Sequence, residues 1–354
     1  MRAAGDRRDD VGTLRALNWL ACSGGLNERS SDSMKALMIG ESAALTLRDV
    51  PVPDHDGECR IRVRMAGICG TDLQLLEGYA GFRGIPGHEF VGVVESAGAP
   101  EDRKWIGRRV AGEINIGCGR CDFCAAGVRE HCSNRAVLGI RERGGAFAEY
   151  VSLPSCNLHA IPDSVPDRAA VFVEPVAACC RILEQMEIAH EARVAVLGDG
   201  RMGLLVAQVL KTATPNVVIF GRHDEKLAIA RTLGLSAQLA VPRSSGARFD
   251  IVVDVTGRSE GLTDALDLVR PRGTVVLKST FHGEAPIETW PIVVEEVTLV
   301  GSRCGPFNPA IALLASGAVR IDPLISRVAP LDDFASAFRE ARSALKVLFE
   351  IAPR

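Results

Sequence analysis

The chain has 354 residues, a little over twice the roughly 150 of a typical domain, so two domains are expected. With 41 Lys and Arg against 44 Asp and Glu its formal charge is −3, a balance that argues against a basic nucleic-acid-binding protein. Hydrophobic residues make up 47% and charged residues 24%, ordinary globular values, and no apolar run reaches the ~18–20 residues that cross a bilayer.

Residues 1–33 stand apart. They carry Arg7-Arg8-Asp9-Asp10 and the polar run Asn27 to Ser33, with only a short apolar piece around Leu17 to Cys22. A signal peptide wants a longer apolar core and a transit peptide avoids acids. The segment reads as a disordered extension, or as an over-long reading frame whose true start is Met34.

From Met34 to about residue 155 the signals are those of strands and loops. Cys59, Ile61, Val63 and Met65 alternate with Arg60, Arg62 and Arg64, the period of a half-buried strand. Glycines punctuate the region, which suits a barrel-like domain with long functional loops. Within it, Gly67-Ile68-Cys69-Gly70-Thr71-Asp72 offers a thiolate with a hydroxyl two residues on, and Gly87-His88-Glu89 an imidazole followed by a carboxylate. Glu174, in Phe172-Val173-Glu174-Pro175, offers another carboxylate near the expected domain junction. One Cys, one His and one Glu give three ligands whose charges neutralise Zn²⁺ and leave a fourth position for a substrate oxygen, the pattern of a catalytic site.

Cys118, Cys121, Cys124 and Cys132 form C-x2-C-x2-C-x7-C. Tight turns let neighbouring thiolates converge on one centre, and four thiolates close a tetrahedral zinc site without room for substrate. An iron–sulfur cluster uses the same number of cysteines and stays open on spacing alone. Cys22, Cys59, Cys156, Cys179, Cys180 and Cys304 have no ligand spacing and read as core residues or free thiols of a reducing compartment.

After about residue 178, strands and helices alternate. Arg193 to Leu197 is a strand, Met202, Leu205, Val206, Val209 and Leu210 line one helical stripe, and further strands follow at 216–220, 249–255, 273–278 and 297–300. This rhythm predicts a doubly wound parallel sheet. Gly198-Asp199-Gly200-Arg201-Met202-Gly203 is G-x-G-x-x-G between strand and helix, the dinucleotide turn that brings a pyrophosphate to a helix N-terminus. The second strand ends Phe220-Gly221-Arg222-His223, with glycine where an NAD-binding fold places its ribose acid. A missing acid and an available Arg222 favour NADP(H) over NAD(H). Asp224 is the alternative ribose acid in a shifted register, and a solvated Arg222 is the plainer one.

Taken in order, these motifs resemble the zinc-containing medium-chain dehydrogenase/reductase family of alcohol, polyol and threonine dehydrogenases, over about Met34 to Arg354. The resemblance implies a GroES-like β-barrel catalytic domain at 34–177, a Rossmann domain at 178–303 and a return to the barrel at 304–354. It implies two zinc ions per chain, catalytic at Cys69, His88 and Glu174 and structural at the four-cysteine loop. It also implies Glu89 as a neighbouring acid able to reach the metal, Asp72 as the carboxylate orienting the ligand histidine and Thr71 as the hydroxyl that takes the substrate's proton. Gln74 stands where many relatives end their proton relay in histidine. Gly198, Gly200, Arg201, Met202, Gly203, Gly221, Arg222 and His223 are the expected nucleotide contacts. The expected protein is a cytoplasmic homodimer or homotetramer that interconverts a small-molecule alcohol and a carbonyl, without nucleic-acid or membrane partners. Two alternatives remain: a zinc-independent reductase of an activated C=C bond, and a non-enzymatic dinucleotide-binding regulator.

Overall fold

The computed structural model describes residues 33–352 apart from 55, 241–247, 280–283 and 285–286; the extension expected over residues 1–33 falls, up to residue 32, outside the described residues. An antiparallel hairpin of β1 (Ser33–Ile39) and β2 (Leu45–Pro51) opens the fold. In β3 (Cys59–Gly67) the period-two alternation holds through Met65 and then stops, because Ala66 and Gly67 are also buried. A Cβ at Gly67 would come within 2.8 Å of Val171 Cγ1 and 2.7 Å of Lys346 Nζ, so the strand end runs under close cover on a face where only glycine fits.

The chain continues through α1 (Gly70–Leu76), β4 (Glu89–Ala97), β5 (Arg109–Gly112), β6 (Asn115–Ile116), α2 (Asp122–Ala125), β7 (Ala136–Leu138) and β8 (Glu142–Arg143). Then come β9 (Tyr150–Leu153), β10 (Leu158–Ala160), α3 (Asp167–Ala170) and α4 (Val173–Gln185). Strands β6, β7 and β8 form a small separate sheet that carries the four-cysteine lobe.

The nucleotide-type half comprises β11 (Val194–Leu197), α5 (Arg201–Lys211), β12 (Val217–Gly221), α6 (Asp224–Thr232), β13 (Ser236–Leu239) and β14 (Phe249–Asp254). It ends with α7 (Gly261–Leu268), β15 (Val269–Leu277), α8 (Trp290–Val294) and β16 (Thr298–Gly301). Its strands lie in the order β13-β12-β11-β14-β15-β16, all parallel. The order reverses between β11 and β14, and that switch point is where a doubly wound sheet opens a crevice for ligand. Leu204, Leu205, Val206, Val209 and Leu210 of α5 are buried, each contributing roughly 1.5–3 kcal/mol.

The last elements are α9 (Phe307–Ala315), β17 (Ile325–Pro330), α10 (Phe334–Ala341) and β18 (Lys346–Glu350). β18 pairs antiparallel with β3 and parallel with β17, completing the sheet β10-β5-β4-β3-β18-β17, to which β9 adds on β3. Phe349 stacks edge-on against Phe147 at 5.2 Å, so the chain's end closes the core begun near its start. The fold is thus a GroES-like β domain beside a Rossmann domain.

Candidate active site

Cys69 sits where β3 gives way to α1, as the residue preceding the helix. The Cys69 N–H donates to Asp72 Oδ2 at 2.7 Å, a carboxylate reaching back over the first turn as capping acids do. The other oxygen, Asp72 Oδ1, faces His88 Nδ1 at 3.4 Å. Fully buried, Asp72 therefore ties down the cysteine loop and sets its second oxygen beside the imidazole. His88 and Glu89 follow Gly87, whose φ of 98° suits glycine, and a Cβ there would come within 2.8 Å of the Phe147 backbone nitrogen. Glu89 opens β4 and is buried against Lys346 Nζ, which pairs with Glu89 Oε2 and donates to Ile68 O at 3.1 Å. Thr71 Oγ1 lies 3.9 Å from Cys69 Sγ.

This packing gathers three metal-type donors. One donor atom each of Cys69, His88 and Glu89 lies within 4.8 Å of the other two, a sulfur, a nitrogen and a carboxylate of the kind zinc takes. Burial alone would raise the Cys69 thiol, but His88 and the Arg201 guanidinium hold it down to about 6. Burial likewise opposes a charge on His88, yet Asp72 and the Cys69 thiolate lift it well above the ordinary imidazole value. Glu174 stands outside this close set. It is the second residue of α4, ahead of Pro175 in the first turn, and burial pushes it up to about 7, with Cys69 adding and His88 opposing. Glu174 lines a cavity of about 220 Å³ together with Asn115, Arg181 and Cys304.

Sequence reasoning missed two cations here. Lys346 is fully buried, and its only trace in the sequence is a charge opening an apolar run. Lys278 follows β15 directly and donates from Nζ to Ala178 O at 2.6 Å and to Arg303 O at 3.3 Å, tying the sheet to α4 and to the segment leading back toward the barrel.

The four-cysteine loop wraps around α2. All four thiol sulfurs of Cys118, Cys121, Cys124 and Cys132 lie within 4.8 Å of one another and none is in a disulfide. Backbone donors, the Arg120 N–H first, lower the Cys118 thiol to about 6. His131 is exposed beside the loop and stands outside the set.

At the switch point, Gly198 has φ 120°, and a Cβ there would sit 2.8 Å from Val255 O. Gly200 is the residue before α5, and a Cβ at Gly203 would run into the Gly198 carbonyl. Met202 packs against the core. Arg201 does something the motif does not suggest: its guanidinium crosses to the β domain. Nη1 donates to Ile68 O at 3.1 Å and Leu345 O at 3.2 Å, and Nη2 approaches Cys69 Sγ at 3.6 Å. Gly221 ends β12, and Arg222 and His223 follow it exposed. Asp224, the alternative ribose acid, opens α6 with its carboxylate 3.4 Å from Arg231.

Comparison with known proteins identifies the family of this fold. The family described as Alcohol dehydrogenase GroES-like domain matches residues 55–163, and that described as Zinc-binding dehydrogenase matches residues 202–316. D-arabinitol dehydrogenase 1 of Uromyces fabae is 31% identical, over 84% of this chain and 91% of its own. The crystal structure of RspB from Escherichia coli CFT073, complexed with NADH, superposes with a TM-score of 0.85 at 28% identity, covering 91% of this chain and 100% of that one. A Sinorhizobium meliloti 1021 dehydrogenase structure bound to NADP gives 0.83 at 30% identity, covering 90% and 99%.

Proposed function

Because the chain belongs to the zinc-binding medium-chain dehydrogenase family and is an alcohol dehydrogenase-like oxidoreductase, we propose that it interconverts a small alcohol and its carbonyl with zinc at Cys69, His88 and Glu174 and with NADP(H) in preference to NAD(H). The observation that carries this reading is the meeting of two motifs: Arg201 of the glycine-rich turn reaches the thiol of Cys69, itself gathered with His88 and Glu89. Zinc and nicotinamide, when bound, would supply Lewis acidity toward the substrate oxygen and the hydride acceptor or donor.

The chain's own residues do the rest. Asp72 Oδ1 faces His88 Nδ1 at 3.4 Å, which would leave Nε2 for the metal. Cys69 is held toward its thiolate form, which is the ligand form. Glu89, paired with the buried Lys346, stands in the donor set as the carboxylate that can reach the metal, while Glu174 on α4 lies close enough to feel the charges of His88 and Cys69. Thr71 Oγ takes or returns the substrate's hydroxyl proton. Gln74 cannot titrate, so the relay from Thr71 passes its proton to water or to another base. The Cys118–Cys132 loop would hold a second, structural zinc. Arg222, exposed and without a hydrogen bond or ion pair from its guanidinium among the described residues, supports recognition of a 2′-phosphate.

Among the described residues β16 is an open sheet edge, and Leu299 on it and Trp290, Val293 and Val294 on α8 are exposed. An unpaired apolar edge favours pairing, which supports a homodimer or homotetramer. Ten free cysteines among the described residues support a reducing, cytoplasmic setting, and no helix there is long and apolar enough to cross a membrane. A panel of alcohols and carbonyls, followed by nicotinamide fluorescence with NADPH and NADH on zinc-loaded protein, tests the reading. Turnover that depends on zinc and runs faster with NADPH is expected; failure on the whole panel would favour the regulator alternative.

A further inference from the structure

The end of β12 lacks the expected ribose acid, yet a carboxylate occupies the place where that acid's side chain would begin. Asp199, the residue between the first two glycines of the turn, is buried to 6% exposure. Its Oδ2 accepts the N–H groups of Arg222 and His223, both at 2.7 Å, and His223 Nδ1 lies 3.0 Å from Oδ1. A Cβ built on Gly221 would lie 2.6 Å from Asp199 Cγ. Gly221 has no positive φ, so its backbone would accept any residue. Space, not conformation, keeps a side chain out. The glycine at 221 and the aspartate at 199 are therefore two views of one arrangement, in which the acid is delivered by the glycine-rich turn instead of the strand.

We infer that Asp199 is a specificity-determining residue for the nucleotide, supplying at the end of β12 the negative charge that opposes a 2′-phosphate and the acceptor that serves a free ribose hydroxyl. Oδ2 is taken by two backbone donors, whereas Oδ1 faces only the imidazole and keeps a lone pair. Burial opposes the charge, but the His223 and Arg222 N–H groups hold the carboxyl below its ordinary value, so the anion persists at neutral pH. Two consecutive backbone N–H groups closing on one oxygen form a small anion nest, already filled from within. A 2′-phosphate would thus meet the side chains of Arg222 and His223 with Asp199 behind them. The preference between the two nucleotides is then a difference between opposed charges, one attractive at 222 and one repulsive at 199.

This inference rests on the reading that the end of β12 receives the adenosine ribose, and it can fail separately from the NADP(H) preference. The test is equilibrium titration of NADH and NADPH, followed by nicotinamide fluorescence, on the wild type, Asp199→Asn and the exchange variant Asp199→Gly/Gly221→Asp, in which the Asp199 Cβ that a Cβ at 221 would run into is removed, with thermal melts alongside. Asp199→Asn is expected to weaken NADH and strengthen NADPH, moving the ratio of their Kd values about tenfold toward NADPH. The exchange variant, with its acid on the strand, is expected to move the ratio back toward NADH. Equal weakening of both nucleotides, or a ratio within about twofold of wild type in both variants, would overturn the assignment and leave Asp199 a purely structural tie. A wild type that binds NADH more tightly would refute the NADP(H) preference alone, and the shift in the variants would still score Asp199.

Discussion

The two metal-type clusters differ in how they are assembled. The four-cysteine set comes from fifteen consecutive positions on one lobe, and its sulfurs lie within 4.8 Å of one another. The Cys69, His88 and Glu89 set is held from far away: Lys346 bonds Ile68 O across 278 positions and Arg201 approaches Cys69 across 132. A local cluster stakes the fold of its own loop on its ligand. A dispersed one is built by the surrounding fold, so its shape outlasts the loss of a ligand while its chemistry does not.

That contrast can be broken by substitution. Cys69→Ser is expected to lower kcat by about 10³-fold or more, beyond the 10–100-fold that an outer partner of a metal ligand brings, with a melting temperature within a few degrees of wild type. Comparable loss of stability and activity would erase the distinction. Lys346→Met leaves Glu89 buried without its cation, which should cost about 3 kcal/mol in denaturant unfolding. Lys346→Met/Glu89→Gln should recover much of that loss, because the orphaned charge is gone; no recovery would mean that Lys346 acts through packing alone.

Cys121→Ser should behave oppositely to Cys69→Ser. It is expected to destabilise the chain by about 2–3 kcal/mol and to make the lobe between β6 and β7 sensitive to protease, while kcat per folded molecule changes by less than about threefold. Asp72→Asn is a smaller perturbation. It keeps an acceptor for the Cys69 N–H but removes the charge beside His88, so metal affinity should fall about 10–100-fold; unchanged affinity would deny Asp72 its orienting role.

The same contrast explains how much was legible in the sequence. The four-cysteine spacing and the glycine turn are local, so the residues state their own geometry, and the parallel order of the Rossmann sheet followed from the alternation of its elements. Cys69 and His88 were legible through the motifs around them, Gly-Ile-Cys-Gly-Thr-Asp and Gly-His-Glu, the second opened by the positive-φ Gly87. The carboxylate that joins them in the donor set is Glu89, adjacent to His88, whereas Glu174 faces the cavity from α4. Arg201 was read as a nucleotide contact because the motif places it beside the phosphates, yet its long side chain finds carbonyls of the other domain. Lys346 left only a charge opening an apolar run, and Asp199 no signal of its own. Each is a charge whose partner is brought to it by tertiary folding, and neither spacing nor periodicity encodes that meeting.

Metal analysis of purified protein tests the central claim most directly. The wild type is expected to carry two zinc ions per chain and Cys69→Ser one, retained in the lobe, with alcohol–carbonyl turnover lost in step with the missing ion. A wild type that turns over substrate with a single zinc, unchanged in Cys69→Ser, would contradict it.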